Sequence, residues 1–419
     1  MTELPMLTKV FLAFLCLKGL IEAYLDRRNI KHIIKNINEV PKKFANQISL
    51  EDHQKAAKYS IERINVSGFF NIIGYAILLG WTLGGGIDFL NSYIQSLDLS
   101  ATLTGVVFII AFSMIGSLLS LPGSIYNTFV VEEKWGFNKT TPKIFVMDLI
   151  KGTVLGVIIG TPLLYAVLWI MEQMGELWWL YAWIFLSAFQ LIMMWVYPTF
   201  IAPLFNKFEP LEEGEVKDKI LNLLQRTGFE SNGLFIMDAS KRSGHGNAYF
   251  TGFGKTKRIV FFDTLVNTLE ASEIEAVLAH ELGHFKRKHV MKLMAKAFIF
   301  SFVGLYILGY LMKAEWFFTA HGVESTQSYI ALTLFMMVSG IYTFFITPLS
   351  SWTSRKYEFE ADEFAAKHSD ASDLINALVK MYKDNASTLT PDPVYSAFYH
   401  SHPPALIRVN FLEKFLKKD

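Results

Sequence analysis

Apolar positions fall in seven long blocks, near residues 4–25, 66–87, 103–121, 154–171, 177–197, 291–312 and 329–349. Each approaches the ~20 residues a helix needs to cross the hydrocarbon of a bilayer. The pattern therefore predicts seven membrane-spanning helices. The sixth is the weakest, because Lys292 and Lys296 shorten its apolar part to 297–312. Between the blocks the chain turns polar in two long stretches. That divides it into 1–203 with helices one to five, a polar segment 204–290, helices six and seven over 291–350, and a terminal segment 351–419. Within the first polar segment, residues 272–279 are good helix formers and no proline interrupts the run through His289, so a helix is expected to continue that far.

The first block is expected to be a retained span rather than a signal peptide. It lacks a basic leader and a small-residue cleavage site before Asp26, and it is long for the apolar part of a leader. Lys18 and Glu22, four apart within it, can pair or reach the interface.

Composition agrees with the blocks. The chain is 52% hydrophobic and 18% charged over 419 residues, with a mean hydropathy of +0.30. A soluble bundle of this composition would need an improbable number of wholly buried helices. Basic residues are concentrated in alternate loops: eight follow the first block, from Arg27 to Lys58, and Lys134, Lys139 and Lys143 follow the third. Residues 88–102 and 172–176 hold no Lys or Arg. The positive-inside rule then puts the amino terminus outside and segment 204–290 and the carboxyl terminus in the cytoplasm. A formal net charge of +1 gives no reason to expect nucleic acid. Cys16 is the only cysteine and lies in the first block, which excludes an internal disulfide and a thiolate zinc cluster. No obligate protein partner is implied.

The chemistry is concentrated in His280-Glu281-Leu282-Gly283-His284. Residues four apart share a helix face, so His280 and His284 can offer both imidazoles to one metal ion. Glu281 lies beside that face, where it can take a proton from water rather than ligate. A catalytic zinc needs a third protein ligand and a position left for water. A downstream histidine in the longer H-E-x-x-H-x-x-G-x-x-H pattern is excluded, since Arg287 and Val290 stand where that pattern needs Gly and His. His289, five residues past His284, falls off the metal face of a continuous helix and reads as a supporting or surface histidine. The better source of a ligand is the acidic run after the last span, with Glu358, Glu360 and Asp362. One carboxylate could ligate while another fixes a histidine tautomer, and the chemistry alone leaves all three open.

Together these residues resemble the type I CaaX prenyl proteases, an integral-membrane zinc metallopeptidase family. The resemblance rests on the 280–284 motif, the run 354–362 with its E-x-x-x-D pattern, the stretch 247–265 beginning Asn247-Ala248-Tyr249-Phe250, and the stretch 395–410 with Ser401-His402-Pro403-Pro404 and Arg408. It implies a mainly α, polytopic membrane protein whose seven helices enclose a chamber, with a cytoplasmic catalytic part of zincin-like α+β fold. It also implies one Zn2+ per chain held by His280, His284 and Glu358, with Asp362 and Arg408 supporting the site. Glu281 would be the general base, and His402 would help stabilise the tetrahedral intermediate. Asn247 would hold substrate backbone along an edge strand. Residues 252–256 suggest a phosphate loop only superficially, because Tyr249 replaces the earlier glycine such a loop needs.

The activity expected is hydrolysis of peptide bonds near the carboxyl terminus of prenylated CaaX-type proteins at a bilayer. A short connection between the last two spans and no endoplasmic-reticulum retention signal suggest a compact bacterial member, which would sit in the inner membrane. A membrane quality-control zinc protease with no prenyl preference is the alternative. A non-catalytic seven-span receptor or transporter with a structural metal is a remote one, because a structural site needs no Glu281. An intramembrane-cleaving protease is disfavoured by Lys286, Arg287 and Lys288, which follow the motif at once.

Overall fold

The structure, a computed structural model, describes residues 4–251 and 258–416. Among the described residues six helical segments are long and apolar enough to cross a membrane: Leu50–Trp81, Ala101–Trp135, Pro142–Gln173, Gly175–Leu204, His289–Leu311 and Ser328–His368. The first apolar block forms a further long helix, α1 (Met6–Asn36), in which Lys18 Nζ lies 2.8 Å from Glu22 Oε1 and 2.8 Å from the Tyr75 hydroxyl. These internal charges explain why α1 is less apolar than the others; they are paired rather than bare.

The helices outrun the apolar blocks. Helix α2 (Leu50–Trp81) starts sixteen residues before its block, with the Ser49 hydroxyl capping the Asp52 amide. Its polar first half carries His53, Ala57 and Tyr59, all buried. Helix α3 (Ala101–Tyr126) follows, then α4 (Pro142–Gln173), which opens with a Thr141 cap and proline in the first turn, and α5 (Trp178–Val196). Buried residues of α3, α4 and α5 gather at one end, Val106 and Phe108, Leu168 and Met171, Trp178 and Ala182, where Phe11 and Leu15 of α1 join them; α1 also buries Leu25, Asn29 and Ile33 toward its other end. The opposite halves leave large apolar side chains such as Leu118, Ile158 and Ile192 exposed, as helices in lipid can. The spans thus pack tightly at one end and loosely toward the other, consistent with walls around a chamber.

The polar segment after the fifth span is α+β. Strands β1 (Phe208–Pro210), β2 (Leu234–Met237), β3 (Ala248–Thr251) and β4 (Arg258–Phe262) form one sheet in the order β1-β2-β4-β3. β2 and β4 are parallel, with Leu234 opposite Ile259. β3 is antiparallel to β4, with Ala248 opposite Phe261, and it forms an edge. Between β1 and β2 runs α6 (Glu215–Thr227), ended by Gly228 in the left-handed region at φ 58°. Its Ile220 and Leu223 join Phe261, Ile274, Leu278 and Leu282 in a second hydrophobic core.

After the sheet come α7 (Ala271–Lys286), α8 (His289–Leu311), α9 (Ser328–Thr343), α10 (Thr347–His368), α11 (Ala371–Asp384), α12 (Pro393–Tyr399) and α13 (Ala405–Leu412). The expected continuous helix through His289 is corrected. α7 stops at Lys286, Lys288 takes a left-handed φ of 57°, and α8 begins at His289. That turn re-aims the chain between α7 and the sixth apolar block.

Candidate metal centre

Helix α7 is held at its start by a reciprocal cap in which the Glu270 and Glu273 side chains each accept from the other's backbone N–H. Lys380 Nζ, 2.8 Å from the buried Glu273 carboxylate, ties this end to α11. Ile274, Leu278 and Leu282 face the core, which turns His280 and His284 together toward α10. Gly283 decides how near α10 comes. A Cβ there would lie 2.8 Å from Ala361 Cα and 3.0 Å from its carbonyl oxygen. Glycine is the residue that fits, and the close approach brings Glu358, three residues before Ala361, to the two imidazoles.

The three candidate donors converge. His280 Nε2 and His284 Nε2 lie 3.2 Å apart. His280 Nε2 is 3.5 Å from Glu358 Oε2, and His284 Nε2 is 3.3 Å from Glu358 Oε1. Ligands about 2.0–2.1 Å from a tetrahedral zinc stand about 3.3–3.4 Å from one another, so the spacing suits a metal of that size. Glu358 Oε2 is buried and has no hydrogen-bond partner among the described residues. His402 Nδ1 approaches it to 2.7 Å without the direction of a hydrogen bond. Arg408 Nη1 stands 3.7 Å away, an ion pair beyond hydrogen-bond reach, so this buried oxygen keeps a position that a bound cation would fill. The donor set, two imidazoles and a carboxylate, fits a catalytic metal centre.

The three acids of the α10 run are sorted onto different partners. Glu358 faces both Nε2 atoms. Asp362 Oδ1 lies 2.8 Å from His280 Nδ1 and fixes that ring. Arg408 on α13 grips Asp362 with two nitrogens, Nε to Oδ2 at 2.9 Å and Nη2 to Oδ1 at 2.5 Å. Burial would push the His280 imidazolium down, but the hydrogen bond and charge of Asp362 outweigh it and raise it to about 9. Glu360 Oε2 lies 3.1 Å from His289 Nε2, and His289 Nδ1 lies 3.0 Å from His284 Nδ1. His289 is 1% exposed and stacks on Tyr357 at 4.2 Å between ring centroids. The supporting role, rather than the surface one, is where the structure puts it.

The remaining candidates lie around this centre. Glu281 follows His280 on α7 and is half-buried. Asn247 is exposed at the head of edge strand β3, its carbonyl accepting from Phe262 and its side chain accepting from Ala248 N–H. β3 packs against α7, which sets an open strand edge beside the histidine helix. His402 is 64% exposed at its side chain and lines a cavity of about 620 Å³ that reaches Arg63, Tyr395 and Tyr399. Residues 252–257 of the 247–265 stretch, including the superficial phosphate-loop run, lie outside the described residues. Sequence reasoning missed the link His284–His289–Glu360. Its one sequence signal is a histidine just past the motif, and it acquires meaning only through the turn at Lys288.

Comparison with known proteins places this geometry. Residues 29–207 match the family model described as CAAX prenyl protease N-terminal, five membrane helices, and residues 210–416 match peptidase family M48. The chain is 35% identical to CAAX prenyl protease 1 homolog of Arabidopsis thaliana, with 97% of each chain covered. It is 33% identical to CAAX prenyl protease 1 of Saccharomyces cerevisiae, over 95% of this chain and 93% of that one. Among solved structures it superposes on S. mikatae Ste24p with a TM-score of 0.91 at 32% identity, over 98% of this chain and all of that one.

Proposed function

The chain belongs to peptidase family M48 as a multi-pass membrane metalloendopeptidase, and from that premise we propose that it is a zinc enzyme cleaving prenylated CaaX-type substrates near their carboxyl terminus. The observation that carries the reading is the meeting of His280, His284 and Glu358 around a buried, unsatisfied carboxylate oxygen, with Glu281 beside them. His280, His284 and Glu358 would hold one zinc ion. Bound there, zinc would supply a Lewis acid that polarises the scissile carbonyl and makes water acidic enough to deprotonate near neutral pH.

The rest is done by the chain. Asp362 and Arg408 keep the His280 Nδ1 proton on the far side of the ring, so that Nε2 faces the other donors. Glu281 takes a proton from the attacking water and returns it to the leaving amine as the C–N bond breaks. His402, exposed to the cavity, offers an N–H to the oxyanion that develops on the carbonyl. Asn247 and the open edge of β3 hold the substrate backbone as an added strand.

The site is joined to the membrane covalently, through α8 on one side and α9 on the other, which suits a lipid-anchored substrate. The basic loops favour the cytoplasmic face, with the amino terminus outside, and in a bacterial cell the membrane would be the inner one. A prenylated CaaX peptide and its unprenylated twin, offered to the detergent-purified protein, test the substrate class. Preference for the prenylated peptide supports the reading. Equal cleavage would move the assignment to a quality-control protease working by the same chemistry.

A further inference from the structure

The cavity beside His402 is walled by one face of α2, where Tyr59, Ser60, Arg63, Ile64 and Ser67 recur at helical spacing. Arg63 is the one Lys or Arg among the described residues that line it. Most other basic residues around the site are already engaged: Arg408 by Asp362, Arg28 by Asp392, Lys134 by Glu62 and Arg242 by Asp148, while Arg355 donates to the carbonyls of Ser396 and His400. Among the described residues Arg63 meets no carboxylate at ion-pair distance. Its guanidinium carbon rests 5.4 Å from the Tyr59 ring centroid, and Tyr59 in turn donates to Glu132 at 2.6 Å. The ring and its hydroxyl, which is within hydrogen-bond reach of Arg63, hold the fork in place while leaving its other N–H groups for a ligand. Asp26 also lines the cavity, and the phenol of Tyr395 feels the charges of both Asp26 and Arg63, with no ion pair between them.

We propose that Arg63 is a specificity residue that binds the free carboxylate at the carboxyl terminus of the peptide substrate. This rests on the reading of the site as a protease acting near a chain end. The cavity is continuous from His402, which touches Glu358, to Arg63. In a CaaX-type substrate three residues follow the cysteine, and extended they span at most about 10 Å. A cavity of about 620 Å³ has the size of an ordinary small-ligand site and accommodates such a segment. Its single unpaired cation then meets the one charge that every such segment must carry. A guanidinium matches a carboxylate by two parallel hydrogen bonds, which an internal peptide or a terminal amide cannot accept in the same way. Recognition of a chain end, rather than of a sequence, follows from that difference.

The test compares a prenylated peptide ending in a free acid with the same peptide ending in an amide, on wild type, Arg63→Gln and Arg63→Lys, each checked for zinc content and thermal stability. A charge-assisted pair predicts a ratio of kcat/KM, acid over amide, of about tenfold or more in wild type. In Arg63→Gln the ratio falls toward one, mainly through KM, and Arg63→Lys keeps an intermediate preference. A wild type that cleaves both peptides equally, or an Arg63→Gln variant that keeps the wild-type ratio, overturns the proposal while leaving the protease reading intact. Cleavage of neither peptide by zinc-loaded wild type overturns both.

Discussion

Gly283→Ala changes one methyl group and is expected to disable the metal centre. The new Cβ would stand 2.8 Å from Ala361 Cα, 3.0 Å from the Ala361 carbonyl oxygen and 3.1 Å from Phe364 Cβ. Ordinary contact begins near 3.4 Å, so α7 and α10 must part by about 0.6 Å; two of the three obstacles are backbone and no rotamer relieves them. Glu358 rides on the same helix as Ala361. The same displacement would carry its 3.3 Å and 3.5 Å approaches to the histidines toward 4 Å. Metal–ligand distances tolerate about 0.2 Å. Overpacking costs about 1–3 kcal/mol, which corresponds to roughly 5- to 150-fold in metal affinity if it is spent at the site. The assay is zinc retention during dialysis against a graded series of chelator concentrations, alongside thermal unfolding in detergent. Gly283→Ala should lose zinc at about tenfold less chelator than wild type and unfold earlier. Wild-type retention with wild-type stability would refute the close contact between α7 and α10, and with it the account of how Glu358 reaches the site.

Three further outcomes follow from the same geometry. Asp362→Asn takes the two-point carboxylate partner from the buried Arg408 and leaves it only Glu358 at 3.7 Å, and the loss of a buried pair partner, about 3–5 kcal/mol, should show as a lower Tm together with weaker zinc binding. His289→Phe keeps the stack on Tyr357 but removes the nitrogen facing His284, so zinc affinity should fall about 10- to 100-fold in titrations with a chromophoric chelator while the protein stays folded. Asn247→Ala should raise KM for peptide hydrolysis about tenfold with zinc content unchanged, because the residue is exposed at a strand edge and is not one of the donors; loss of zinc in that variant would contradict the proposed role.

Most of the architecture is legible in the chain because bilayer and helix impose coarse, periodic demands. Blocks of apolar residues announce the spans, and two histidines four apart announce a metal face. What the pattern could not carry is where helices begin and end. The turn at Lys288 occurs in Lys286-Arg287-Lys288, which contains neither glycine nor proline, so nothing local announces a left-handed residue. Without that turn His289 falls on the wrong face. Likewise, Glu358, Glu360 and Asp362 are interchangeable by composition, and the packing of α10 on α7 sorts them, turning Glu358 and Asp362 to His280 and Glu360 to His289. Arg63 lies just before the second apolar block and resembles any interfacial arginine; its meaning depends on helix α2 extending past the block to wall the cavity. Local signals name the chemistry, while long-range packing assigns the partners.

The most direct test of the account is zinc content measured beside hydrolysis of a quenched prenylated CaaX peptide, on the same samples of wild type, Glu281→Gln and Glu358→Ala. The account predicts about one zinc per chain in wild type and in Glu281→Gln, weakened binding in Glu358→Ala, and turnover in wild type alone. Folded wild-type protein that holds no zinc, or a Glu281→Gln variant that turns over substrate like wild type, would contradict it.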